Sequence, residues 1–191
     1  MARFFATIGL FLALGVHGCA GDRAATGRVP AAASEDTRPV VAELLPAAVA
    51  WYRELQERFY SRGRALNHRE RQLAASLGVK ETEAVRVVVL EHFPLPQDPA
   101  LQAEARRYGL GTCRFFALTI GHLIAIKPRA VDDLKLLAHE FVHVAQQEEW
   151  GTEESVRRLL VQYRRFGPAA APLEVEAQET VQELWSRSET D

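Results

Sequence analysis

Apolar positions recur along this chain in two rhythms, and the change from one to the other outlines its elements. Leu45, Val49, Tyr52, Leu55 and Phe59 fall at helical spacing, which predicts a helix over roughly Pro46 to Tyr60. Asn67 followed by Glu70 has the form of a capping box, and Gly78 closes a short helix whose apolar side is Leu73 and Leu77. Val85, Val87, Val88, Val89 and Leu90 form a β-branched run, read as a buried strand that Pro94 and Pro96 stop. Asp98-Pro99 supplies an N-cap and first helical position, with Gly109 as the stop. Phe115 to Thr119 and Leu123 to Lys127 read as a β-hairpin turning at Gly121-His122. Helical spacing then returns. Asp132 or Asp133 caps a helix with Leu134, Leu137, Ala138, Phe141 and Ala145 on its apolar side, ending at Gly151. Thr152 with Glu153 and Glu154 opens the next helix, which ends at Gly167-Pro168, and Pro172 opens a last one to about Arg187. The expected fold class is α+β: a mostly helical domain with a small, about three-stranded sheet.

The chain has 191 residues, enough for one domain and an appendage, and 48% hydrophobic residues supply a core. A net charge of −2 gives no global sign of nucleic-acid binding. The appendage is N-terminal. Phe4 to Val16 is almost wholly apolar behind Arg3, too short to span a bilayer of ~30 Å but suited to an export signal. Val16-His17-Gly18-Cys19 resembles the bacterial lipobox, which implies lipid attachment at Cys19. An ordinary signal peptide cut near Ala20 or Ala25 is the alternative. Either way the chain is expected to be exported, and with lipid on Cys19 it would be held at the bacterial envelope membrane. Cys113 then lacks an intramolecular partner and is read as a small buried hydrophobe, with a Cys19–Cys113 disulfide as the rival. The division expected is 1–19 signal and lipobox, 20–39 flexible linker, and 40–187 domain.

The candidate chemistry lies in His139-Glu140-Phe141-Val142-His143, which reads H-E-x-x-H within a predicted helix. Residues four apart share a helix face, so two imidazoles can aim at one point, with Glu140 in reach of a water held there. Two neutral imidazoles and a carboxylate base are what a catalytic Zn²⁺ site takes from its central helix. A third protein ligand is then expected downstream.

Leu173-Glu174-Val175-Glu176-Ala177-Gln178 opens the last helix. With that segment the pattern resembles the gluzincin metallopeptidases, whose later helix reads E-x-E-A or E-x-x-x-D with its first Glu on the metal. Leu136 to Gln146, L-L-A-H-E-x-x-H-x-x-Q, is also similar to small bacterial zincin-like domains. The resemblance implies one Zn²⁺ held by His139, His143 and Glu174, Glu140 as general base, and a peptide or protein substrate. Glu176 is the other acid to weigh, about 200° around the helix from Glu174. Gln178 departs from the family, standing where many members have an Asp that accepts a hydrogen bond from a ligand His. A donor to the oxyanion is expected from Tyr163 or His122. Two other functions stay open: a zinc-binding module without catalysis, and a metal-free interaction or scaffold domain of a surface lipoprotein. Neither substrate identity nor oligomeric state can be read from the residues.

Overall fold

Leu123, Ile124, Ala125 and Ile126 are all buried, which is why their segment shows an unbroken apolar run rather than alternation. In the computed structural model, which describes residues 37–112 and 115–188, these four residues form the strand through which both cores meet. The elements in chain order are α1 (Arg38–Phe59), β1 (Arg64–Ala65), α2 (His68–Ser76), β2 (Arg86–Val89), α3 (Pro99–Arg107), β3 (Ala117–Ile120), β4 (Leu123–Ile126), α4 (Leu134–Trp150), α5 (Thr152–Phe166) and α6 (Pro172–Ser188). The expected signal, Cys19, most of the linker and Cys113 lie outside the described residues. Among the described residues no helix is long and apolar enough to cross a membrane.

The sheet runs β1-β2-β4-β3. Outer pairs are antiparallel, and β2 lies parallel to β4 with Val87 opposite Ile124 and Val89 opposite Ile126. One face carries Val88, Ile120, Leu123 and Ala125 against α1, α3 and α5. The other carries Val85, Val87, Ile124 and Ile126 against α2, α4 and α6. Alternation along β4 thus feeds two cores instead of one core and solvent. The fold class is α+β, as the periodicity implies, but the sheet has four strands rather than about three. The added strand is two exposed residues, Arg64-Ala65, too short to show a period. Its place is held from outside by a bidentate contact of Arg64 with the capping-box Glu70, both N···O distances being 2.7 Å.

A second correction concerns α1, which starts at Arg38 and not near Pro46. Pro46 reads as a helix start because a proline lacks the N–H that interior positions donate. Here it lies inside the helix, while Pro39 takes the N-terminal position. Val41 and Leu44, each 4% exposed, extend the buried stripe toward the N-terminus, so packing outweighs the lost hydrogen bond. The caps follow expectation. Asn67 and Glu70 exchange backbone bonds, Asp98 accepts from the N–H of Leu101, and Asp133 rather than Asp132 accepts from that of Leu136.

Helix α4 packs on β3, α6, α5 and α2, and so carries its residues to the junction of the edge strand with the last two helices. The turn into α5 rests on one residue. Gly151 has φ 75° and ψ 165°, a region almost reserved for glycine. A Cβ there would meet nothing within 4 Å, so the cost of substitution is backbone strain alone. Gly151→Ala is expected to destabilise the domain by about 1–3 kcal/mol. An unchanged midpoint in chemical denaturation would contradict this account of the corner.

Candidate metal centre

His139 and His143 stand one turn apart on α4, their rings at 4.7 Å and nearly perpendicular. Glu174 comes from the first turn of α6, brought over α4 by burial of Leu173, Ala177 and Val181 around it. Three donor atoms converge. His139 Nε2 and His143 Nε2 are 3.0 Å apart, and Glu174 Oε2 lies 3.1 Å from the first and 3.3 Å from the second. These residues form a cluster able to hold a metal ion, the one of its kind among the described residues.

The donor set can be tested against zinc. Tetrahedral bonds of ~2.0–2.1 Å put donor atoms roughly 3.3–3.4 Å apart. The observed triangle is tighter by a few tenths of an ångström or less. Two imidazole nitrogens and one carboxylate oxygen are also a donor set known for catalytic zinc. The side chains of His139 and Glu174 are 23% and 22% exposed, so the cluster is open on one side, as a site with a free fourth position requires.

The tautomer of His143 is set by Gln146, a residue whose role the sequence did not disclose. The Gln146 amide N–H₂ donates to the Leu173 carbonyl at 3.2 Å and to Glu176 Oε2 at 3.0 Å. Its carbonyl oxygen therefore faces His143 Nδ1 at 2.9 Å, so Nδ1 carries the proton and Nε2 is left to coordinate. This corrects the expectation for Gln178, which is exposed and bonds neither histidine. Glu176 is not part of the donor triangle and is joined to it through Gln146. The signal was present as H-x-x-Q: three residues on from His143 is the same helix face. Gln146→Leu is expected to weaken zinc binding ~10–100-fold with both histidines intact. Unchanged affinity in a competition titration with a chromogenic chelator would remove that role.

Glu140 is 5% exposed, and its Oε2 accepts a 2.6 Å hydrogen bond from the Thr119 hydroxyl on β3. The edge strand thus aims the acid that follows His139. Tyr163, expected as a donor to substrate, instead gives its hydroxyl to Glu174 Oε1 at 2.5 Å. His122 is not brought to the cluster. Its Nε2 sits 2.9 Å from Glu148, whose carboxylate also accepts the backbone N–H groups of Lys80 and Glu81. Burial and the backbone bonds hold opposing sway over Glu148, and the hydrogen bonds win, keeping its carboxyl below the usual range.

Charge inside the cluster is strongly coupled. Burial alone would lower the pKa of His143, but the hydrogen bond and charge of Glu174 outweigh it and raise the value to about 9. Glu174 shows the converse: burial works against its charge, and bonds from His139, His143 and Tyr163 hold it well below the usual carboxylate range. Burial, then the Glu174 charge, pushes Tyr163 far up. Tyr52 is raised by burial and then by the charges of Glu174 and Glu140. The sequence marked Tyr52 only as part of the apolar stripe of α1.

Against this geometry, a family model described as the eCIS core domain matches residues 94–151. The matched stretch runs from the loop before α3 to the end of α4. It contains Thr119, His139, Glu140, His143 and Gln146, and stops before Tyr163 and Glu174. Neither the curated proteins nor the solved structures provide a match.

Proposed function

We propose that this chain is a zinc-dependent peptide-bond hydrolase of the gluzincin type, held at a bacterial envelope through lipid on Cys19. The observation that carries the reading is the meeting of His139 Nε2, His143 Nε2 and Glu174 Oε2 within 3.0–3.3 Å of one another, one residue from a buried acid. Bound there, Zn²⁺ would lower the pKa of water toward ~7 and polarise a carbonyl.

The chain's own residues supply the rest. Glu140, fixed by Thr119, accepts the proton of the attacking water and delivers it to the departing amine. Tyr163 holds the Glu174 carboxylate by its second oxygen and leaves Oε2 facing the histidines. An extended peptide has a place to lie. β3 is an edge strand whose partner β4 occupies one side. The Lys127 N–H bonds the Phe116 carbonyl, so the polar backbone groups of Ala117 and Thr119 face the open edge. Gln147 closes one end of that edge, giving its N–H₂ to the Thr119 carbonyl at 3.1 Å and accepting from the Gly121 N–H at 2.7 Å. A substrate strand would pair at Ala117 and at the Thr119 N–H.

One observation favours a second reading, a zinc-binding module without turnover. The Tyr163 hydroxyl is spent on Glu174, so the expected oxyanion donor is not free. The two readings separate experimentally. Purified protein is assayed for zinc by elemental analysis and for cleavage of a mixed peptide pool by mass spectrometry. Zinc with cleavage supports the hydrolase, zinc without cleavage the binding module. Absence of zinc returns the chain to the metal-free interaction domain.

A further inference from the structure

An apolar cavity meets the candidate metal centre at Tyr163. It is lined by residues of α1, α3, α5 and β3, with Trp51, Tyr52, Leu118, Leu160 and Tyr163 among them. Its volume is about 90 Å³, taken as the space open to the centre of a water-sized sphere. On that measure one water needs ~10–15 Å³, so the space exceeds any packing defect, yet its walls give water few partners. The polar group nearest its rim is already satisfied: the Glu104 carboxylate accepts the Tyr108 hydroxyl at 2.7 Å and Arg164 Nη1 at 2.8 Å.

Two features tie the cavity to the site and the edge strand and not to the fold alone. Tyr163 lines it with its ring while its hydroxyl holds Glu174. Leu118 lines it from the edge strand, between the two residues whose backbone faces an incoming peptide.

We infer that this cavity is the side-chain pocket of the hydrolase, taking one bulky apolar residue of a peptide laid along β3, beside the bond to be cut. The inference rests on the proposed hydrolase and names its substrate class: peptides with a residue of the Phe or Leu type next to the scissile bond. Ala105, on α3 in the cavity wall, is none of the metal-centre residues named above and serves as the handle.

The test uses zinc-loaded full-length protein and its Ala105→Trp variant, which fills the space, with Ala105→Leu as a milder filler should Trp disturb folding by circular dichroism. Cleavage sites in a peptide pool are read by mass spectrometry, and indole binding is read separately by ligand-observed NMR. The parent is expected to cut beside Phe and Leu. The filled variant should lose at least ~10-fold in kcat/KM on those peptides and keep its rate on peptides with Ala there. Indole should bind the parent and Glu140→Gln alike and lose affinity in the filled variant. Cleavage without side-chain preference, or indole binding that ignores Ala105, overturns the pocket and leaves the hydrolase standing. No cleavage by the zinc-loaded parent overturns the hydrolase, and the pocket's substrate role with it, even if indole binds.

Discussion

Glu140→Gln is expected to keep its zinc and lose peptide hydrolysis by ~10²–10⁴-fold in kcat, the range a positioned general base supplies. Shape and burial change little, because a Gln carbonyl can still accept the Thr119 hydroxyl that now meets Glu140 Oε2 at 2.6 Å. The amide cannot take a proton at neutral pH, so the loss falls on the chemical step and leaves KM nearly unchanged. Initial rates and zinc content are measured on the same preparations. Equal rates in parent and variant would falsify the assignment of the base. Loss of zinc with loss of rate would instead make Glu140 part of the binding site.

Removing the metal should have the second large effect. At free zinc near 1,000 times Kd, linkage stabilises the folded state by about 4 kcal/mol. For a domain of this size each kcal/mol moves Tm by roughly 2–4 °C, so chelation should lower Tm by on the order of 10 °C. The pH dependence has a definite sign. In the metal-free protein the His143 pKa is raised from 6.5 to about 9 by Glu174, against the pull of burial. Its contribution to stability is therefore fully present below about pH 6.5 and is lost as pH rises through 9. Glu174 is shifted the other way, so its contribution is present above 4.5 and lost in acid. Metal-free protein should thus be most stable between these limits and weaken toward pH 9. Zinc can enter only as the His143 proton leaves, so zinc stabilisation should grow over that interval. A gap between zinc-loaded and chelated melting curves that stays constant from pH 6.5 to 9 would count against proton displacement at His143.

Much of the candidate metal centre was legible because its parts are local. His139, Glu140 and His143 lie within one and a half turns of one helix, and helical spacing puts the imidazoles on one face. Glu174 needed the resemblance to later helices of gluzincins, since nothing in spacing alone says which acid of α6 turns inward. Positions of support were harder to see. Thr119 and Gln146 act through contacts reaching up to 30 residues along the chain, and each looks ordinary in its own segment, while Tyr163 stood out as a donor to the oxyanion and not as the partner of Glu174. The cavity was not legible at all, because its walls come from residues spread between Ala48 and Tyr163. Among the elements, capped helices were well marked. β1 was missed because two exposed residues carry no rhythm, and the parallel pairing of β2 with β4 depends on where the chain returns after α3.

The acid that completes the donor triangle lies 31 residues after His143, on the far side of α5. During synthesis the ribosome therefore releases both imidazoles and the base well before their third companion. A nascent chain passes through a stage that has Glu140 but only two of the three donor side chains. On the proposed reading, docking of the α6 segment is the event that would arm the protein, so that newly made chain would be spared hydrolytic chemistry until the domain has closed.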